Sequence, residues 1–185
     1  MWITRRTPGM VVAAAAGALA MTLAIGAFGA LGKPHPKPHP NPPNHPGKRT
    51  GAPLIDESLA PSQPTDPVFH GVSPGSAPWV LKRGDVRLKQ DGKLDLQVKG
   101  LVIPTAPFTG TPGPVTSISA SLYCGADLNT APADTTQQVP ISRKGDARIH
   151  DASFTVPATC LAPVILVHPN GLATTYIALD GWRLS

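Results

Sequence analysis

Val86-Arg87-Leu88-Lys89-Gln90-Asp91-Gly92-Lys93-Leu94-Asp95-Leu96-Gln97-Val98-Lys99 is the stretch that decides the fold class of this chain. Its apolar residues fall at every second position. Val86 and Leu88 mark one arm, and Leu94, Leu96 and Val98 the other, with Arg87, Asp95 and Gln97 between them. Successive side chains of a strand point to opposite faces, so this alternation describes two half-buried strands. Asp91-Gly92 lies between the arms. Asp-Gly favours the positive-φ conformations of a type I′ turn, which predicts a β-hairpin over 86–103. A lone hairpin is marginal in water, so other strands must cover its apolar face.

The residues downstream supply them. Val115 to Cys124 alternates again, with Ile118, Ala120, Leu122 and Cys124 on one face and Ser117, Ser119, Ser121 and Tyr123 on the other. Val139 and Ile141 mark a short strand. Ala147 to Val156 reads as extended but changes phase, which calls for a bulge or bend near His150-Asp151. Val164-Ile165-Leu166-Val167 is an unbroken apolar run suited to a strand buried on both faces. Asn170-Gly171 predicts a second I′ turn, and Leu172 to Leu184 a long final strand. No stretch carries a helical stripe. Seven or eight short strands over residues 79–185 predict an all-β domain. The expected form is an antiparallel β-sandwich, immunoglobulin-like in outline, with a small barrel as the alternative.

The first 78 residues read differently. Arg5 and Arg6 precede an uncharged apolar run from Met10 to Leu31 that ends in small residues, Gly26-Ala27-Phe28-Gly29-Ala30. That is the layout of an export signal, with cleavage expected after Gly29. The run is also long enough to span a bilayer, so residues 1–31 are a signal peptide or a transmembrane helix serving as anchor. Either way the rest of the chain is expected outside the cytoplasm, secreted or at the cell surface, touching membrane only through this segment. No cysteine stands near the cleavage region, which excludes a lipoprotein anchor. Residues 32–78 read as a disordered, proline-rich linker. Thirteen of the chain's 23 prolines lie between Lys33 and Pro78. Proline lacks an N–H and fixes φ, so such a stretch favours extended polyproline II and acts as a spacer. Within it, Leu54-Ile55-Asp56-Glu57-Ser58-Leu59 is the only cluster suited to a turn of helix.

The formal net charge is +5, but no dense basic patch interleaved with aromatics appears in the domain, which argues against nucleic-acid binding. Export places Cys124 and Cys160, the only two cysteines, in an oxidising compartment, where they are expected to form a structural disulfide. Without a Cys-x-x-Cys spacing, a redox pair or metal-ligand role has little support.

Few residues invite a chemical role. His35, His39 and His45 in the spacer are the weak metal-ligand candidates, set against the entropy of converging three imidazoles on a flexible chain. His150-Asp151 is the one polar pair that a small hydrolase could use with a serine, but Gly-x-Ser-x-Gly is absent. His168, ahead of Pro169-Asn170-Gly171, is expected at a hairpin tip. The domain's aspartates mostly adjoin glycines, where turn chemistry accounts for them. Trp79, Tyr123, Tyr176 and Trp182 are the aromatic candidates for a binding surface, with core packing as the alternative. No catalytic set and no cofactor motif emerges.

The strings Ser121-Leu122-Tyr123-Cys124-Gly125, Val139-Pro140-Ile141-Ser142 and Lys144-Gly145-Asp146-Ala147, followed by Cys160, resemble a group of uncharacterised exported proteins of high-GC Gram-positive, actinobacterial type. The resemblance covers the region from Trp79 onward. It implies an extracytoplasmic location and a shared domain, and carries over no active-site residue. The expected function is therefore that of a secreted or surface-tethered structural or binding module, facing an extracytoplasmic partner or cell-envelope component. A small extracytoplasmic hydrolase and a metal-handling protein are the alternatives.

Overall fold

The 86–99 hairpin forms, with a turn one residue longer than Asp-Gly alone predicts. A computed structural model describes residues 52–125 and 131–181. In it Leu88 stands opposite Leu94. The Gly92 N–H donates to the Lys89 carbonyl at 3.0 Å, and the Lys89 N–H donates to that of Lys93 at 3.0 Å. Gln90 to Gly92 are thus a three-residue loop. Of the Asp-Gly pair only Gly92 takes positive φ, 83°, as a type I turn closed by a left-handed glycine requires and a I′ turn does not. The Phe154 N–H then donates to the Gly92 carbonyl, at 3.0 Å.

Among the described residues eleven strands follow in chain order: β1 (Pro53–Pro61), β2 (Ser73–Pro74), β3 (Arg83–Lys89), β4 (Leu94–Lys99), β5 (Ser117–Tyr123), β6 (Asp134–Thr135), β7 (Val139–Pro140), β8 (Ala147–Asp151), β9 (Val164–Pro169), β10 (Thr175–Tyr176) and β11 (Ala178–Asp180). The described residues contain no helix. Eight strands form one curled antiparallel sheet in the order β6-β5-β9-β11-β1-β3-β4-β8, and β7 also pairs with β5. The small β2–β10 pair is parallel.

β1 joins the two halves of this sheet. Its first part pairs with β3, from Pro53 opposite Lys89 to Ser58 opposite Asp85, with a register shift between Pro53 and Ile55. Its last three residues pair instead with β11, Leu59 opposite Asp180 through Pro61 opposite Ala178. The assignment of residues 53–78 to a disordered spacer is therefore corrected, as is that of a helical turn at 54–59. Pro53 and Pro61 occupy the two ends of β1, where a missing N–H is tolerated. Ile55, Leu59 and Ala60 are buried while Asp56 and Glu57 are both exposed, so the strand carries no period-two signal. Residues 1–51, and the export and spacer readings that fall on them, lie outside the described residues.

The core fills the inside of the curl. Val86, Leu88, Leu94, Leu96 and Val98 from one half meet Ile118, Ala120, Leu122, Ile165 and Val167 from the other in a single cluster. Each such buried aliphatic side chain contributes about 1.5–3 kcal/mol. The other face of β5 and β9 is covered as well. A second cluster joins Val72, Tyr123, Leu166 and Tyr176, with Phe69 packed against it. Ile165, Leu166 and Val167 are accordingly fully buried, the two-sided burial that their sequence predicts.

One further expectation changes, and the bend expected near His150-Asp151 holds. The long final strand is broken into β10 and β11, because Ile177 turns its N–H to the Val167 carbonyl, at 2.8 Å, just before β11 begins. The phase change after Ala147 is the end of β8: Ile149 faces Leu96, the strand stops at Asp151, and Phe154 packs into the core beyond a bend.

Candidate functional site

At the end of β1 where Pro61 gives way to Ser62, backbone bonds tie three segments together. The Ser62 N–H donates to Ile177 at 2.9 Å, and the Trp79 N–H donates to Ser62 at 3.0 Å. A cleft of about 420 Å³ opens beside this junction. Trp79, Ile103 and Ile177 are among its lining residues and are nearly or fully buried. Phe108 and Leu172, 40% and 55% exposed, also line it. Pro74, Pro114 and Pro169 add rigid apolar surface. None of the lining residues is ionisable.

Local sequence explains each wall. Residues 104–114 are rich in proline, glycine and threonine and cannot form a regular strand. They fold back instead: Ile103 accepts from the Gly110 N–H at 2.8 Å, and Phe108 accepts from the Thr111 N–H at 2.9 Å and hydroxyl at 2.8 Å. This holds Phe108 at the loop tip. The opposite wall is the Asn170-Gly171 turn. Both residues take positive φ, 47° and 70°, and the Leu172 N–H closes the turn on Pro169 at 2.8 Å, so the I′ expectation holds here. Asn170 does more than turn the chain. Its Oδ1 accepts from the Thr116 N–H at 2.9 Å and the Ser117 N–H at 3.2 Å, and its Nδ2 donates to Pro114 at 3.2 Å. One side chain thereby fixes the Pro114–Ser117 wall to the turn that presents Leu172.

The residues singled out from sequence lie elsewhere, apart from Trp79. Cys124 and Cys160 form a disulfide, with Cα atoms 4.9 Å apart, and both pack against the core. Tyr123 and Tyr176 are buried rather than displayed. Tyr123 stacks under His70 with ring centroids 4.9 Å apart. Tyr176 meets Phe69 edge-on and its hydroxyl donates to Pro67 at 2.8 Å. Trp182, His35, His39 and His45 lie outside the described residues. His168 is not at a hairpin tip but buried on β9, its Nδ1 bonded to the Thr175 carbonyl at 2.8 Å. Burial pushes its pKa down, so the ring is held neutral. Among the described residues no group of three or more His, Cys, Asp or Glu could hold a metal ion.

His150 and Asp151 do not act as a pair. His150 sits 2.7 Å from Asp95 across β4, whereas Asp151 accepts from the N–H and hydroxyl of Ser153. The His150 contact belongs to a cross-strand ladder on the outer face of β1, β3, β4 and β8. Asp56 faces Arg87, Arg87 faces Asp95, and Asp95 faces His150. The His150 hydrogen bond, with Arg148 also in reach at 3.5 Å, holds the Asp95 carboxyl below its ordinary pKa. Asp56, Arg87 and Asp95 alternate in sign on an exposed face, where each cross-strand pair contributes about 0.2–1 kcal/mol. Phe108 and Leu172 escaped the sequence reading. The available signal was a lone large aromatic within a Pro/Gly/Thr segment that cannot bury it in a strand.

Comparison with protein-family models, with curated proteins and with solved structures gave no match for this chain.

Proposed function

We propose that this chain is an exported or surface-tethered binding module, and that the cleft between the 103–114 loop and the Asn170-Gly171 turn is its ligand-binding groove. The observation that carries this reading is the character of the cleft. It is an apolar cleft of about 420 Å³, it bears no ionisable side chain, and two large apolar residues stand exposed around it. An apolar concavity with a few convergent polar groups is the usual form of a binding site. The domain is read as a β-sandwich in which β1 passes from one layer to the other, a reading supported by the single core shared by the β3–β4 and β5–β9 halves. The location outside the cytoplasm is supported by the disulfide, since such bonds persist in oxidising compartments, and by the export-like residues 1–31. The resemblance to actinobacterial exported proteins agrees with it. The partner is then an extracytoplasmic protein or cell-envelope component.

The test is retention on the surface of the producing cell of a form exported from a cleavable signal, so that residues 1–31 cannot anchor it. Leu172→Asp and Phe108→Ser alter exposed side chains of the groove, and Arg87→Ala alters the charged face. The first two are expected to be lost to the medium with melting temperatures near that of the unaltered protein, while Arg87→Ala stays bound. Equal retention of all three would refute the groove.

A further inference from the structure

We infer that acid opens the strap formed by residues 63–76, because a proton added to the buried imidazole of His168 finds no acceptor while the strap is closed. Pro74, Gly75 and Ser76 of the strap line the groove, so opening removes one of its walls. That consequence rests on the groove being a binding site; the opening itself does not.

The strap is lightly held. Gln63 fixes its start, donating from Nε2 to the Trp79 carbonyl at 2.8 Å. Its middle is a two-residue turn, His70-Gly71, closed by bonds between Phe69 and Val72 at 3.0 and 2.8 Å. His70 takes φ 51° there, a conformation that disfavours a residue with a Cβ. Its end is β2, tied to the β10 segment by the Ser73 N–H on Thr174 at 3.0 Å and the Gly75 N–H on Tyr176 at 2.8 Å. Beneath it, Val72 closes over Tyr123, Leu166 and Tyr176 in a cluster of four buried residues, against twenty in the main core. The strap therefore has far less apolar burial to lose than the rest of the domain, and units of that kind open first.

His168 is the sensitive group under this layer. Strand alternation puts it on the same face of β9 as Leu166, and it is 1% exposed. Its Nδ1 lies 2.8 Å from the Thr175 carbonyl, so Nδ1 carries the proton of the neutral ring and Nε2 the lone pair. Nε2 is buried and has no hydrogen-bond partner among the described residues. The neutral ring leaves only an unused lone pair there. The protonated ring would place a charged N–H in the same position, which is far more costly. The carbonyls of Thr175 and Leu172 favour the charged form, but burial outweighs both. The surrounding elements offer little relief. β5 places Ser119 opposite His168 and carries Tyr123, and β10 carries Tyr176. The strap contributes His70, whose Nδ1 is also buried without a partner, and Asp66, whose carboxylate accepts from the Gln63 N–H at 2.7 Å. β11 contributes Asp180, which serves the Ile165 N–H. None of these segments holds a Lys or Arg. The ring takes up a proton when it reaches water, and lifting the strap with its β10 partner is the smallest movement that uncovers it.

The test is amide hydrogen exchange on the full chain, resolved residue by residue as pH is lowered from about 7.5 to about 4.5, across the range in which histidine titrates. The Ser73 and Gly75 amides should lose protection about tenfold per pH unit between the ordinary histidine value near 6.5 and the lower folded value of His168. The amides of β4, in the main core, should stay far better protected at every pH. His150→Asn, which alters an exposed ring, should keep this dependence. His168→Asn, which retains a donor for Thr175 but cannot titrate, should lose it. Strap amides that exchange only together with those of β4, or a dependence kept in full by His168→Asn, would overturn the inference. Should that variant fail to fold, the ring of the unaltered protein decides: its NMR titration must share the midpoint of the strap's exchange, and a separate midpoint overturns the inference equally. Exchange is read without any ligand, so a strap that stays closed in acid refutes the switch and leaves the groove to the retention test.

Discussion

Asp180 closes β11 in a half-buried position. Its Oδ1 accepts from the Ile165 N–H at 2.9 Å, yet burial outweighs this bond and, with Glu57 adding repulsion, the pKa rises to about 6. In the unfolded chain it returns to about 3.9. The folded state thus holds the proton to higher pH than the unfolded state does. Stability from this group is complete below about pH 4, declines as pH rises, and is gone above the folded value near 6. Two pKa units at about 1.36 kcal/mol each come to roughly 3 kcal/mol. Asp180→Asn keeps an oxygen for Ile165 and removes the charge. At pH 8 the variant should be more stable than the unaltered protein by about 2–3 kcal/mol, less about 1 kcal/mol for a poorer hydrogen bond. At pH 4 the advantage should vanish or reverse. Urea unfolding of both proteins at the two pH values reads this as a double difference, in which every other titrating group cancels. A stability difference that does not change between pH 4 and pH 8 would refute the assignment of a half-buried, proton-retaining carboxyl.

Other perturbations follow from the same geometry. The Cys124–Cys160 disulfide closes a separation of 36 residues, so Cys124→Ser with Cys160→Ser should lower stability by about 4 kcal/mol; a loss under 1 kcal/mol in chemical denaturation would contradict it. Asn170→Ala removes the side-chain bonds to Pro114, Thr116 and Ser117 and places a Cβ-bearing residue at φ 47°. A loss of about 2–4 kcal/mol is expected, with Asn170→Gly recovering about 1 kcal/mol because glycine accepts that φ. His168 titrates in the opposite sense to Asp180. Its folded pKa lies below the ordinary value, so its contribution is present above about pH 6.5 and lost as pH falls. An NMR titration of its ring should give a midpoint below that value, and a midpoint at or above it would show the ring to be accessible.

Much of the fold was legible because period-two burial writes itself directly into sequence. Leu88, Leu94, Leu96 and Val98 alternate and face the core, and so do Ile118, Ala120 and Leu122. The elements that escaped lack that signature for physical reasons. β1 changes partners midway, so its buried positions 55, 59 and 60 follow no single period. Tyr123 looks like part of a solvent face until the 67–72 segment, too rich in turn residues to read as structure, is laid over it. The Asp91-Gly92 turn shows the limit of dipeptide reasoning, since Gln90 joined the loop and only Gly92 needed positive φ. The groove was the least legible feature. It is assembled from residues 74–79, 103–115 and 169–177, whose adjacency comes from the sheet order and from no local pattern. His150 and Asp151 drew attention by being neighbours, but strand alternation separates adjacent side chains, and the partner of His150 is Asp95, 55 residues away.

The most direct test of the binding groove is site-specific photocrosslinking on living cells. A photoreactive side chain would replace Leu172 in one protein and Arg87 in another, both exposed and on different faces of the domain. The expected result is a discrete crosslinked product from position 172 and none from position 87. No product from position 172, or the same products from both positions, would contradict the assignment of the groove as the working surface of this protein.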